Sequence, residues 1–111
     1  MFQKYDEVSF DFHNFVPSRE LNESADTVLT WLMDAVPFDA EVNAIIKKVG
    51  ARFYCRVDVY SSIGYFSKAD FDSNAKQAID RVVTAVKEAI RRSGRTYMAK
   101  GGNLFIELLQ H

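Results

Sequence analysis

The chain has 111 residues, 48% apolar, 14% aromatic and 26% charged, with five Gly and two Pro. Such a chain buries roughly two-thirds of its unfolded surface, enough for one core, and it is too apolar for disorder and too poor in Gly and Pro for a collagen-like or low-complexity design. A single cysteine, Cys55, excludes an internal disulfide and a thiolate zinc cluster. No apolar run approaches the ~18 residues of a membrane span, and the opening MFQKYDEVSF carries charge where a signal peptide needs a hydrophobic stretch. A cytoplasmic protein with no membrane partner is the expectation.

The formal net charge of −1 conceals a division. Residues 1–72 carry −5, whereas residues 73–100 carry +5, from Lys76, Arg81, Lys87, Arg91, Arg92, Arg95 and Lys100 against Asp80 and Glu88. A basic segment of this kind is either a footprint for an anionic partner or the solvated face of a helix.

In chain order, residues 7–13 alternate, with Val8, Phe10 and Phe12 on one face and Ser9, Asp11 and His13 on the other, which predicts a half-buried strand. Residues 14–17 turn the chain, and Ser18 is the N-cap of an amphipathic helix over 18–36. Its apolar stripe is Leu21, Ala25, Val28, Leu29, Leu32 and Val36, and Pro37 ends it. Strands are predicted over 42–49, closed by Gly50, and over 52–60, where Phe53, Cys55, Val57 and Val59 share one face. A further strand covers 65–71, with Tyr65, Ser67, Ala69 and Phe71 on one side; its pattern leaves open which side is buried. A second helix, which Asp72, Ser73 or Asn74 can cap, buries Ala75, Ile79, Val82, Val83, Val86 and Ile90, and is expected to stop at about Ser93, with Gly94 as its terminator.

The order β-α-β-β-β-α predicts an α+β two-layer sandwich, a four-stranded mixed sheet with both helices on one face. A right-handed crossover would make the first two strands parallel, and the short later connections make antiparallel hairpins. Residues 1–95 form this domain. Residues 96–111 form a tail whose apolar LFIELL string suits an added strand or a homodimer contact.

Residues for catalysis are hard to find. His13 and His111 have no ligand spacing around them, Cys55 points with Val57 and Val59 into the core, and no Gly-rich phosphate loop is present. The reading is a non-enzyme with no catalytic residues, no cofactor and no metal. One further signal is the outer face of the 52–60 strand, where Arg52, Tyr54, Arg56 and Tyr60 interleave charge with aromatic surface. Such a face either stacks bases or simply packs across strands in solvent.

Three strings then converge with the element order. VSFDFHNFVPSREL (residues 8–21), FYCRVDVY (residues 53–60) and QAIDRVVTAV (residues 77–86) resemble the opening strand and helix start, the third strand and the second helix of the ribosome hibernation promoting factor family, also called sigma-factor modulation or ribosome-associated inhibitor proteins. The resemblance spans residues 7–93. It implies a non-catalytic protein that sits where messenger and transfer RNA lie on the small ribosomal subunit, touches ribosomal RNA with basic side chains of its helices, and silences idle ribosomes in stressed cells. The RNA-binding set would be Lys76, Arg81, Lys87, Arg91, Arg92 and Arg95 on the second helix. The first helix departs from the family pattern: its exposed arc holds Glu20, Glu23, Thr27, Thr30 and Asp34, with Asn22, Val28 and Trp31 near the usual basic positions. In the second helix Ala85 and Glu88 stand where the family commonly has bases. The rival expectation is a protein-interaction module that kept the fold and lost the ribosome, working through the acidic helix and the tail.

Overall fold

The computed structural model describes the backbone of residues 8–101 and the side chains of residues 8–93. The elements run β1 (Phe10–His13), α1 (Arg19–Met33), β2 (Glu41–Val49), β3 (Arg52–Ser61), β4 (Gly64–Asp72) and α2 (Ala75–Gly101). The strands form one sheet in the order β1-β2-β3-β4, with β1 parallel to β2 and the other two pairings antiparallel. This is the mixed-sheet sandwich expected from the element order.

Local chemistry explains each boundary. The β1–α1 turn passes through Asn14 at φ 69°, a left-handed conformation that Asn tolerates. The Ser18 hydroxyl then accepts a hydrogen bond from the Leu21 N–H at 3.1 Å, so the cap read from sequence is present. The helix closes earlier than the apolar stripe suggests, at Met33 rather than Val36, with Asp34 as C-cap. Pro37 disfavours helical backbone in the residue before it, yet Val36 remains buried. Gly50 turns the β2–β3 hairpin at φ 61°, where a side chain would be strained.

The period-two pattern of β1, β2 and β3 puts Phe10, Ala44, Ile46, Cys55, Val57 and Val59 on the face covered by the helices. Against them pack Ala25, Leu29, Leu32 and Met33 of α1 and Ala78, Ile79, Val82, Val83, Val86 and Ile90 of α2, all within one core cluster. Phe15 closes one end by edge-on contacts to Phe12 at 5.7 Å and Phe53 at 5.1 Å. Both helices therefore lie on one face, and the opposite face has no layer over it among the described residues.

Two further boundaries differ from the sequence expectation, and the structure settles which side of β4 is buried. β1 begins at Phe10 rather than Glu7. β4 turns Tyr65, Ser67, Ala69 and Phe71 to the open face, because they pair with Tyr60, Asp58, Arg56 and Tyr54. Gly94 does not end α2, which continues to Gly101. A lone glycine inside a helix costs only about 1 kcal/mol relative to Ala, and the residues after it, Arg95 to Lys100, include good helix formers and no proline. Residues 96–101 are thus helical backbone; LFIELL, and with it the strand or dimer role of the tail, lies outside the described residues.

Candidate nucleic-acid interface

One turn of helix every 3.6 residues divides the polar side of α2 into two flanks. Lys76, Asp80, Lys87 and Arg91 fall on the flank beside α1; Arg81, Ala85, Ala89 and Arg92 fall on the flank beside β4. The six bases expected to bind RNA are therefore not one patch. The Nζ of Lys76 bonds Asp80 at 2.8 Å, and Arg91 bonds Glu88. Lys87 places its ammonium 3.3 Å from the centroid of the Trp31 ring on α1, a cation–π contact. The aromatic that stands near a usual basic position of α1 thus holds a base from α2. The Arg95 side chain lies outside the described residues.

On the other flank, Arg81 reaches across to β4, with Nη1 3.3 Å from Asp70 and Nη2 2.7 Å from Asp72, whose side chain is only 11% exposed. The Phe71 N–H first, and then the Arg81 guanidinium, hold the Asp70 carboxyl below its usual range. Between this bridge and the following turns of α2 runs a groove of about 380 Å³, floored by Ala85 and Ala89 and edged by Lys68, Arg81, Glu88 and Arg92. Lys68 and Arg92 make no ion pair among the described residues. Two cations without an ion pair among the described residues, one anchored guanidinium and the Glu88 carboxylate thus line a groove with an alanine floor.

Lys68 was not among the residues singled out from sequence. Its strand places it opposite Val57, on the helix-covered face, yet at the sheet edge it stays exposed. The signal existed in the pattern: the alternate positions Phe66, Lys68, Asp70 and Asp72 form a face too charged for a core, which marks a strand edge facing another charged element. The acidic arc of α1 sits on the far side of α2. Its one base, Arg19, bonds Glu23 at 3.3 Å, and Thr27 and Thr30 return their hydroxyls to the carbonyls of Glu23 and Asp26 at 2.9 Å. A polyanion entering from the β4 edge meets α2 before it meets those carboxylates.

The outer face of β3 also splits. Arg56 donates through Nε to both oxygens of Asp58 at 3.1 Å, and Asp58 also accepts from Tyr65 at 3.1 Å and Ser67 at 2.5 Å. Burial alone would raise the Asp58 pKa, but the hydrogen bonds from Ser67, Arg56 and Tyr65 outweigh it and hold the group ionised. The hydrogen bond to Tyr65, ahead of the Asp58 charge, moves the Arg56 pKa further up. Tyr60 and Tyr65 stack beside them at 4.7 Å. Arg52 lies at the opposite end, and Tyr54 between them reaches the network through a side-chain hydrogen bond to Arg56.

Nothing in these residues assembles a reactive centre. Cys55 is fully buried, and burial pushes its thiol up to about 12, leaving it neutral. His13 is half exposed and lies 3.3 Å from Asp11; His111 lies outside the described residues. Among the described residues no three metal-ligating side chains gather, and no helix is long and apolar enough to cross a membrane.

No protein-family model matches the chain, and no curated protein does. Solved structures do. The N-terminal domain of Thermus thermophilus Protein Y aligns with a TM-score of 0.62 at 15% identity, over 77% of this chain and 98% of that domain. A ribosomal subunit interface protein from Coxiella burnetii aligns with a TM-score of 0.60 at 9% identity, over 79% of this chain and 99% of that one. The chain has the fold of these two proteins, and that fold is the one expected from the hibernation-factor resemblance.

Proposed function

We propose that the protein is a non-catalytic, cytoplasmic ribosome-associated factor that binds the small subunit through ribosomal RNA phosphates and silences translation in idle or stressed cells. The observation that carries this reading is the groove between β4 and α2, where Lys68 and Arg92 stand free beside the anchored Arg81. It occurs on a fold shared with a Protein Y domain and a ribosomal subunit interface protein, which supports the ribosome as the source of the phosphates. Phosphate contacts give affinity without reading bases, so a fixed groove on a rigid scaffold suffices. Of the expected RNA-binding set, Arg81 and Arg92 act in the groove together with Lys68. Lys76, Lys87 and Arg91 serve the helix surface instead.

Co-sedimentation with purified 30S and 70S particles across a salt series tests the reading. The expected result is pelleting with the small subunit that falls steeply with salt, by a logarithmic slope near −0.7 to −0.9 per phosphate contact. Absence of pelleting at low salt would overturn it and leave the protein-interaction module, with acidic α1 as the surface to search.

A further inference from the structure

The register across the sheet sets four side chains together at one end of the uncovered face. Lys47 pairs with Tyr54, which pairs with Phe71, and Arg52 follows on the next row beside Val49. The Tyr54 and Phe71 rings lie 5.1 Å apart, and the Arg52 guanidinium sits 4.8 Å from the Phe71 centroid. Phe71 is 39% exposed and Val49 46% exposed, although both are apolar. Neither Lys47 nor Arg52 makes an ion pair among the described residues, while at the other end Arg56 is neutralised by Asp58. Aromatic planes and free cations therefore coincide at one end of the face and not at the other.

We propose that this Lys47–Arg52–Tyr54–Phe71 corner is a second binding site, which stacks the unpaired bases of a single-stranded nucleic acid. Aromatic rings and guanidinium planes stack any base, and adjacent cations take the backbone charge, so the site is sequence-tolerant. The charge decides the class of partner. Arg52 acts on the Asp70 carboxyl only through space, and that carboxyl is already bonded to Arg81, so the two cations leave a positive surplus that suits a polyanion with exposed π-faces. A duplex would hide its bases and gain nothing from the rings. The corner lies on the face of the sheet opposite the β4–α2 groove, so it stands or falls independently of the ribosomal reading.

The test is fluorescence anisotropy of the full chain with a labelled oligouridylate of about ten nucleotides, a length that spans one such site. An abasic strand of equal charge serves as comparison. The oligouridylate should bind with a salt slope near −1.4, for about two phosphates, and the abasic strand about 5- to 100-fold more weakly. Phe71→Leu, which keeps apolar bulk at a half-exposed position, should lower oligouridylate affinity by that same factor. Lys68→Glu with Arg92→Glu should change it less than twofold. Equal affinity for the two strands would overturn the proposal, as would no binding at low salt. A concentration-dependent dimer that Phe71→Leu dissociates, with no oligonucleotide bound, would assign the corner to a second copy of the chain and overturn it too.

Discussion

Arg81 does two things that a substitution can separate from one another. It faces the groove, and it holds two carboxylates of β4 against α2. Asp72 is the one that matters for stability: its side chain is 11% exposed, one oxygen accepts from the Asn74 N–H at 2.9 Å, and the other meets Arg81 at 2.7 Å. At an effective dielectric of 20, unit charges about 4 Å apart interact by about 4 kcal/mol. The guanidinium is itself half exposed, which reduces the net figure. An exposed pair contributes under about 1 kcal/mol and loss of a buried partner costs about 3–5 kcal/mol. Arg81→Ala should lie between, at about 2 kcal/mol, or about 10 °C in Tm for a domain of this size. Urea denaturation followed by circular dichroism measures it, and Asp72→Asn in the Arg81→Ala background should restore about 1 kcal/mol by removing the stranded charge. Because the Asp70 carboxyl is held below its unfolded value, its contribution is present above the ordinary carboxylate range and lost as pH falls through the depressed value. The stability gap between wild type and Arg81→Ala should therefore narrow on acidification below about pH 4. Strict additivity of the two substitutions, with a gap independent of pH, would refute the bridge as a structural element.

Two other outcomes follow from the same geometry. Cys55, fully buried with its thiol pushed up to about 12, should react with a thiol reagent at pH 8 only through unfolding, at least about 10³-fold more slowly than in denaturant; fast labelling of the native protein would contradict its place in the core. Ser18→Ala removes the acceptor for the Leu21 N–H and should lower stability by about 1 kcal/mol in urea, with Ser18→Asp near neutral.

The sequence made most of the scaffold legible because three strands alternate cleanly and both helices carry continuous apolar stripes. The Ser18 cap, the Gly50 turn and the inward face of Cys55, Val57 and Val59 all follow from local pattern. β4 escaped that logic. As an edge strand it needs only Phe66 to pack inward, so its other helix-side positions are Lys68, Asp70 and Asp72, and its larger aromatics face outward. The charge pairs divide in the same way. Lys76 with Asp80 and Arg91 with Glu88 are one helical turn apart and visible as spacing. Arg81 with Asp70 and Asp72, and Lys87 over Trp31, depend on how α2 docks, which no local window contains. The basic stretch falls on one helix, but which of its charges remain free is visible only in the fold.

Matched charge reversals against the small ribosomal subunit test the central claim most directly. Lys68→Glu with Arg92→Glu inverts the two free cations of the groove, and Lys76→Glu with Arg91→Glu inverts two on the opposite flank at equal change in net charge. Replacing attraction by repulsion at two phosphates, at about 1 kcal/mol per surface contact in each sense, amounts to about 4 kcal/mol, a loss of about 10³-fold in affinity. In co-sedimentation with 30S particles at low salt, the account predicts that loss for the groove variant and less than about tenfold for the other. Equal losses, or a groove variant that pellets like wild type, would contradict it.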